Sequence, residues 1–98
     1  MAAQIDPERT ETTTLQRFAD FTGKRVLEVG SGDGRLTWRY ANAARLVAGI
    51  DLETDDLRVA LLDRPANLAQ KAVFARADAV HLPFQAGTFD MALFAWSF

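Results

Sequence analysis

The fold of this chain is decided by the stretch Val26-Leu27-Glu28-Val29-Gly30-Ser31-Gly32-Asp33-Gly34, a short apolar run followed by glycine at every second position. The apolar part predicts a buried β-strand over residues 25–29. Glycine after such a strand permits positive φ angles and lets ligand atoms approach the backbone closely. A helix that follows the turn directs its free N–H groups and positive dipole end toward the same point. The stretch therefore predicts a strand, a ligand-binding turn and a helix in succession.

Strands and helices are predicted to alternate on both sides of this turn. In chain order the predicted elements are a helix over residues 6–21, a strand over 25–29, a helix to about 44, a strand over 46–50, a helix broken near Pro65, a strand over 72–76 and a strand from 89 to about 96. Residues 1–5 are expected to form a frayed terminus. Alternation of this kind predicts parallel βαβ units, and the nearly continuous apolar strands favour burial of both sheet faces.

Length and composition limit the classes of protein. The 98 residues have room for one domain, predicted over residues 1–98, and the net charge of −2 provides no basic field for nucleic acid. The absence of cysteine excludes disulfides and thiolate metal sites. No secretory signal is recognisable, and the longest apolar run, residues 91–96, is too short to span a bilayer. We therefore expect a soluble cytoplasmic chain without a nucleic-acid or membrane partner.

Distinctive residues follow each predicted strand. The glycine turn follows the strand over 25–29, Asp51 ends the next strand, Asp78 follows the third, and Ala95 lies at the end of the fourth. In open parallel sheets, ligands bind outside the carboxyl ends of the strands. A carboxylate at the position of Asp51 can accept hydrogen bonds from both hydroxyls of a ribose. The pattern predicts a site for a nucleoside-like ligand.

The spacing of the glycines distinguishes between nucleotide ligands. A dinucleotide-binding turn follows the pattern G-x-G-x-x-G. Here the glycines are Gly30, Gly32 and Gly34, with Arg35 at the place of the third fingerprint glycine and Glu28 two residues before the first. This spacing argues against an NAD-type dehydrogenase, which is kept as a weaker alternative.

At this point the sequence resembles the class I S-adenosylmethionine-dependent methyltransferases. The stretch over residues 26–34 matches their first motif, E/D-x-G-x-G-x-G, without a departure. Ile50-Asp51-Leu52 is similar to the second motif, Ala77-Asp78-Ala79 with Leu82-Pro83-Phe84 to the third, and the stretch over 89–94 to the F-D-x-apolar run of the fourth strand. The resemblance implies a truncated Rossmann-like methyltransferase fold, a three-layer α/β/α sandwich with a parallel sheet. Its four strands, numbered from the strand over 25–29, would lie in the order 3-2-1-4.

The resemblance also implies S-adenosylmethionine as the cofactor. The glycine turn would approach the methionine part, with Glu28 holding the turn and orienting the amino group. Asp51 would bind the ribose, Leu52 would lie against the adenine, and Asp78 would accept from the exocyclic amine. The ten implied cofactor-binding residues are Glu28, Gly30, Ser31, Gly32, Gly34, Asp51, Leu52, Asp78, Ala79 and Ala95. No catalytic base and no metal ligands can be assigned.

The implied function is methyl transfer to a small molecule, with this chain as the cofactor-binding half. Members of this family that methylate amino groups of DNA bases or certain protein side chains tend to carry N/D-P-P-Y/F after the fourth strand. Residues 94–98 read Phe-Ala-Trp-Ser-Phe here, so the resemblance argues against both of these substrates. The alternative is a non-catalytic module that binds S-adenosylmethionine or S-adenosylhomocysteine, or that serves as an interaction partner.

Purely structural interpretations also stand beside these roles. The glycines could form only a turn, Asp51 could cap a helix that starts near Glu53, and Asp78 could cap a turn. Trp38 is interpreted as a packing residue. His81, the single histidine, has no partner visible in the sequence and is not assigned to catalysis.

The last predicted strand raises the question of association. The resemblance implies a chain that stops just after the fourth strand of a larger sheet, which would leave an apolar strand at the sheet edge. Such an edge presents unpaired backbone groups to other chains. We therefore expect that the chain is a fragment or that it self-associates through residues 91–98.

Overall fold

A five-stranded parallel sheet organises the part of the chain that the structure, a computed structural model, describes: residues 2–5, 20–78, 85 and 87–95. The strands are β1 (Ala2–Ile5), β2 (Arg25–Val29), β3 (Leu46–Asp51), β4 (Ala72–Arg76) and β5 (Met91–Ala95). The helices are α1 (Thr37–Tyr40) and α2 (Thr54–Asp63), followed by a 3-10 turn over Ala66–Leu68.

The strand order across the sheet is β1-β5-β2-β3-β4, and every neighbouring pair is parallel. The four predicted strands are β2 to β5, and their predicted order, 3-2-1-4, is confirmed. Because all strands run in one direction, β2, β3, β4 and β5 end at the same edge of the sheet, at Val29, Asp51, Arg76 and Ala95.

The amino-terminal residues contradict two expectations. Residues 2–5 are not a frayed terminus, because they form β1, which pairs with β5 from Ala2 opposite Ala92 to Ile5 opposite Ala95. The strand β5 is therefore not at the edge of the sheet, and the premise for self-association through residues 91–98 is wrong. An apolar edge strand offers a row of unpaired backbone groups to any extended segment, and here residues 2–5 of the same chain pair with them. The sequence does not reveal that this segment comes from the same chain.

Both faces of the sheet are buried. One cluster contains Val26, Val47 and Leu93 from the strands with Tyr40 from α1 and Leu68 from the 3-10 turn. The cluster on the opposite face contains Leu27, Ala48 and Ile50, with Ala77 and Phe89 packed against it. Burial on two sides agrees with the nearly continuous apolar strands of the sequence.

The helix after the glycine turn is shorter than predicted. The expected helix reaches about residue 44, whereas α1 ends at Tyr40 and a turn follows. Tertiary hydrogen bonds redirect the backbone here, because the N–H of Gly23 donates to the carbonyl of Ala43 at 2.9 Å and the N–H of Arg45 donates to that of Lys24 at 2.8 Å. The predicted helix over residues 6–21 falls mainly on residues 6–19, which lie outside the described part of the chain.

The break predicted near Pro65 is confirmed, because α2 ends at Asp63 before the 3-10 turn begins. On α2, Leu57 and Ala60 are buried, whereas Leu61 is half exposed and does not belong to the core. Among the described residues, no helix combines the length and the apolar character that crossing a membrane requires.

Candidate functional site

The turn after β2 has the backbone geometry that its glycines predict. The φ angles of Gly30, Gly32 and Gly34 are +79°, +57° and +85°, all in the left-handed region. A Cβ atom on Gly30 would also lie 2.7 Å from the carbonyl oxygen of Ala95 at the end of β5. One on Gly34 would collide with the ring of Trp38. The prediction that this turn requires glycine for positive φ is confirmed.

Hydrogen bonds attach the turn to the end of β3. The N–H groups of Gly30 and Ser31 both donate to the carbonyl of Ile50, at 2.9 and 3.1 Å. The next contact is made by a side chain, since the N–H of Gly32 donates to Oδ2 of Asp51 at 2.8 Å. The other carboxylate oxygen, Oδ1, accepts the N–H of Glu53 at 2.9 Å. Asp51 therefore joins the turn, the end of β3 and the start of α2.

Gly49, a residue that the sequence analysis missed, makes room for the turn. A Cβ atom on Gly49 would lie 2.8 Å from Cβ of Ser31 and 2.7 Å from Cδ1 of Phe74. Glycine inside a strand often marks a place where another segment approaches closely, and this signal was available in the sequence. The ring of Phe74 in turn meets that of Trp38 edge to face, with centroids 5.7 Å apart. Trp38 is confirmed as a packing residue.

Glu28 lies beneath the turn, completely buried. Its Oε1 accepts hydrogen bonds from Oγ1 of Thr37 at 2.8 Å and from the hydroxyl of Tyr40 at 2.5 Å. Burial and the adjacent Glu28 carboxylate both raise the pKa of Tyr40 well above its ordinary value. Both of these hydrogen bonds join Glu28 to α1, which begins just after the turn.

A cleft of about 350 Å³ opens where β2, β3 and β4 end. The described residues that line it are Val29, Gly30, Ile50, Asp51, Leu52, Glu53, Ala77 and Asp78. The volume falls within the range of small-molecule sites, roughly 300–1,000 Å³. Four of the ten predicted cofactor residues, Gly30, Asp51, Leu52 and Asp78, line this one cleft. Leu52 is 52% exposed, which leaves an apolar surface on the wall.

The remaining predicted residues lie around the cleft or outside the described chain. Glu28, Ser31, Gly32 and Gly34 form or support the turn behind the lining, and Ala95 meets Gly30 from β5. Ala79 and His81 fall among residues that the structure does not describe. The lining residues that the sequence analysis did not assign are Val29, Ile50, Glu53 and Ala77. Each is within two residues of a predicted site residue, so their position next to the strand ends was the available signal.

The charge of the cleft is negative. Asp51, Glu53 and Asp78 contribute carboxylates, and none of the described residues that line the cleft is lysine or arginine. Carboxylates accept hydrogen bonds from hydroxyl and amino groups and repel phosphates. Within the described residues, no three acidic, histidine or cysteine side chains are grouped to hold a metal ion. The arrangement suits a ligand that is rich in donors and carries no phosphate.

Comparison with known sequences identifies the family. The model of the methyltransferase domain family matches residues 26–98. The ubiquinone biosynthesis O-methyltransferase of Aromatoleum aromaticum is 38% identical over 89 residues, which cover 90% of this chain and 37% of that protein. The methyltransferase GfsG of Streptomyces halstedii is 32% identical over 95 residues, covering 90% of this chain and 34% of its own length. The chain spans about a third of the length of these relatives.

Solved structures share the fold. Phosphoethanolamine N-methyltransferase 1 of Haemonchus contortus, in complex with phosphoethanolamine and S-adenosylhomocysteine, superposes with a TM-score of 0.71 at 26% identity over 86% of this chain and 18% of its own. Magnesium protoporphyrin IX methyltransferase from Synechocystis, with bound S-adenosylmethionine, gives 0.66 at 25% identity over 85% and 39%. The [4+2]-cyclase SpnF gives 0.72 at 30% identity over 83% and 31%. Sequence and fold together show that this chain belongs to the methyltransferase domain family.

Proposed function

We propose that the cleft binds the adenosyl part of S-adenosylmethionine or S-adenosylhomocysteine, in a protein that methylates a small molecule. The observation that carries this proposal is the joint presence of Gly30, Asp51 and Asp78 in one cleft at the carboxyl ends of three parallel strands. Ligands of open α/β sheets bind at this position.

The residues of the cleft fit such a ligand. The carboxylate of Asp51 accepts two backbone N–H groups, and an ionised carboxylate has about four acceptor positions, so two remain for the ribose hydroxyls. Leu52 offers an exposed apolar surface to the adenine, and Asp78 offers an acceptor to its amine. When bound, S-adenosylmethionine supplies a methyl group that its sulfonium activates for transfer. The glycine turn, supported by Glu28, would face the methionine part.

The relatives support the type of reaction. Both are methyltransferases, and the one from Aromatoleum aromaticum is an O-methyltransferase of ubiquinone biosynthesis, which favours a small acceptor with a hydroxyl group. Because the chain spans about a third of their length, we assign cofactor binding to this chain and methyl transfer to the protein as a whole. The interpretation of residues 1–98 as one cofactor-binding domain belongs to the same proposal.

A second candidate function is ligand binding without methyl transfer. The [4+2]-cyclase SpnF shares this fold at 30% identity, so a protein of this similarity is named for a reaction other than methyl transfer. The cofactor cleft would then serve a structural or a different chemical purpose.

Isothermal titration with S-adenosylhomocysteine tests the proposal. We expect the 98-residue chain to bind it and Asp51→Ala to weaken binding at least about tenfold, as the loss of charge-assisted hydrogen bonds predicts. Asp55→Ala, which removes an exposed carboxylate outside the cleft lining, is the matched control and should bind like the unsubstituted chain. Absence of binding to the unsubstituted chain would reject the cofactor cleft.

Two further measurements separate the candidate functions. Transfer of a labelled methyl group to hydroxyl-bearing acceptors by the whole protein supports the methyltransferase, and binding without transfer supports the second candidate. NADH should not compete for the cleft, because the cleft repels its phosphates, and competition would revive the dehydrogenase alternative.

A further inference from the structure

We infer that Asp51 is a positioning residue for the glycine turn in addition to the ribose acceptor assigned under the proposed function, on which this inference rests. It holds Gly32 in place before a ligand arrives. The loss of the Asp51 carboxylate then lowers the affinity even for a ligand that has no ribose hydroxyls for Asp51 to bind.

The middle of the turn depends on this contact. Gly30 and Ser31 are anchored by backbone hydrogen bonds to Ile50, and the N–H of Gly34 donates to the carbonyl of Ser31 at 3.1 Å. Gly32 lies between these anchors, and its N–H donates to Oδ2 of Asp51. Gly32 is only partly buried, and a Cβ built there would meet, among the described residues, only Oδ2 of Asp56, at 4.0 Å. Among the described contacts, the hydrogen bond to the Asp51 carboxylate is the one that restrains the centre of the turn.

The same carboxylate is held from its other side. Its Oδ1 accepts the N–H of Glu53, the residue before α2, so the side chain of Asp51 is bound at both oxygens. Hydrogen bonds to an ionised carboxylate are the stronger kind. Asp51 is itself the last residue of β3, paired with Arg76 of β4. A carboxylate fixed at both oxygens on the end of a paired strand is a rigid attachment point for Gly32.

Rigid attachment has a consequence for binding. A ligand that meets an ordered turn does not have to order it, and preorganisation of this kind increases affinity. Removal of the Asp51 carboxylate then has two effects, the loss of the ribose contacts and the loss of turn order. A residue that only accepted the ribose hydroxyls would produce the first effect alone.

A thermodynamic cycle separates these effects. S-adenosylhomocysteine and its 2′,3′-dideoxy analogue are titrated into the 98-residue chain and into Asp51→Ala, with Asp55→Ala as the matched control. We expect Asp51→Ala to weaken binding of the dideoxy analogue about tenfold, because the turn is no longer held. Equal affinity of the chain and of Asp51→Ala for the dideoxy analogue would overturn the inference.

Amide hydrogen exchange, followed by NMR without ligand, tests the restraint itself. In the unsubstituted chain the Gly32 amide should exchange slowly, and in Asp51→Ala it should exchange at least about tenfold faster, whereas Gly30, bonded to Ile50, should keep its rate. If Asp51→Ala does not fold, Asp51→Asn replaces it, since an amide has one oxygen and can keep only one of the two N–H partners. Unchanged protection of both Gly32 and Glu53 in Asp51→Asn would overturn the inference.

The two experiments also distinguish failure of this inference from failure of the proposed function. If the chain binds neither ligand but Gly32 loses protection in Asp51→Ala, the cofactor proposal fails and the positioning role of Asp51 stands. If the ligands bind and Gly32 exchanges at the same rate in both proteins, the cofactor proposal stands and the positioning role is rejected.

Discussion

The hydroxyl of Tyr40 on α1 donates a hydrogen bond to Oε1 of Glu28 on β2, and both side chains are buried. Thr37, one turn earlier on the same helix, donates to the same oxygen. A buried carboxylate is costly unless hydrogen bonds satisfy it. The two hydrogen bonds to Glu28 therefore hold α1 against β2, next to the glycine turn.

Tyr40→Phe tests the strength of this attachment. The substitution removes one donor from a buried carboxylate and should lower the free energy of unfolding by about 1–3 kcal/mol, measured by urea denaturation. Thr37→Val provides the comparison. Because both hydroxyls serve one oxygen, the double variant should deviate from the sum of the single effects. Strictly additive losses would show that the two hydroxyls act independently.

The ionisation of Tyr40 gives a pH prediction. Burial, followed by the Glu28 carboxylate, raises the pKa of Tyr40 above its ordinary value. The folded chain then retains a proton that the unfolded chain loses above about pH 10, so Tyr40 does not change the stability below that pH and lowers it above. Tyr40 is the single tyrosine, and the two tryptophans do not ionise, so the change in ultraviolet absorbance on tyrosinate formation reports Tyr40 alone. Tyrosinate should appear only as the chain unfolds, and its appearance near pH 10 in the folded chain would contradict the structure.

Arg25 and Asp90 join the starts of β2 and β5 and predict an effect at low pH. Asp90 accepts from the guanidinium and the backbone N–H of Arg25, which lowers the pKa of Asp90 to about 2. The stabilisation from this pair is complete at pH values above about 4, the ordinary pKa of an aspartate carboxyl, and decreases as the pH falls toward 2.

Titration of the Asp90 carboxyl carbon by NMR measures the pKa directly. In Asp90→Asn, the part of the stability loss between pH 4 and 2 that comes from protonation of Asp90 should be absent. Asp55→Asn, an exposed control on α2, should lose stability over this range as the unsubstituted chain does. A midpoint for Asp90 near 4 would show that the pair does not persist in solution.

Gly49→Ala tests the close approach of the turn to β3. The added methyl group would lie against Ser31 and Phe74, and such overpacking costs about 1–3 kcal/mol of unfolding free energy. Gly23→Ala is the control, because Gly23 has a φ of +68° and a Cβ built there meets none of the described residues within 4 Å, so it reports backbone strain without crowding. Phe74→Leu should partly restore the free energy of unfolding of the Gly49→Ala variant, because it relieves the crowding, and should not restore that of Gly23→Ala. A neutral Gly49→Ala would mean that the turn can move away from β3 at little cost.

Removal of residues 1–5 tests the pairing of β1. Without β1 the strand β5 becomes the edge of the sheet, and an exposed apolar edge promotes pairing between chains. Sedimentation velocity should show concentration-dependent association of the shortened chain that is absent from the full chain. Identical sedimentation of the two would show that β1 does not protect this edge.

The strands were the most predictable part of the fold. Residues 25–29 and 72–76 form strands with the predicted bounds, and the strand predicted over 46–50 extends by one residue to Asp51. Continuous apolar runs determine such strands locally, because only burial on both faces satisfies them. The end of α1 and the pairing of β1 were missed, because both depend on partners distant in sequence, the carbonyl of Ala43 and the edge of β5.

The glycine turn over residues 30–34 shows the same division between local and tertiary determinants. The sequence by itself determined that Gly30, Gly32 and Gly34 form a turn after a buried strand, since glycine at every second position permits the positive φ angles that the turn adopts. It also placed Asp51 and Asp78 at strand ends, where a parallel sheet gathers its ligands. Only the tertiary structure decided that Asp51 holds Gly32, that Gly49 makes room for Ser31, and that Glu28 faces Tyr40. These contacts join residues that lie 12 to 19 positions apart in the sequence. Only the packed sheet brings them within hydrogen-bond or van der Waals distance.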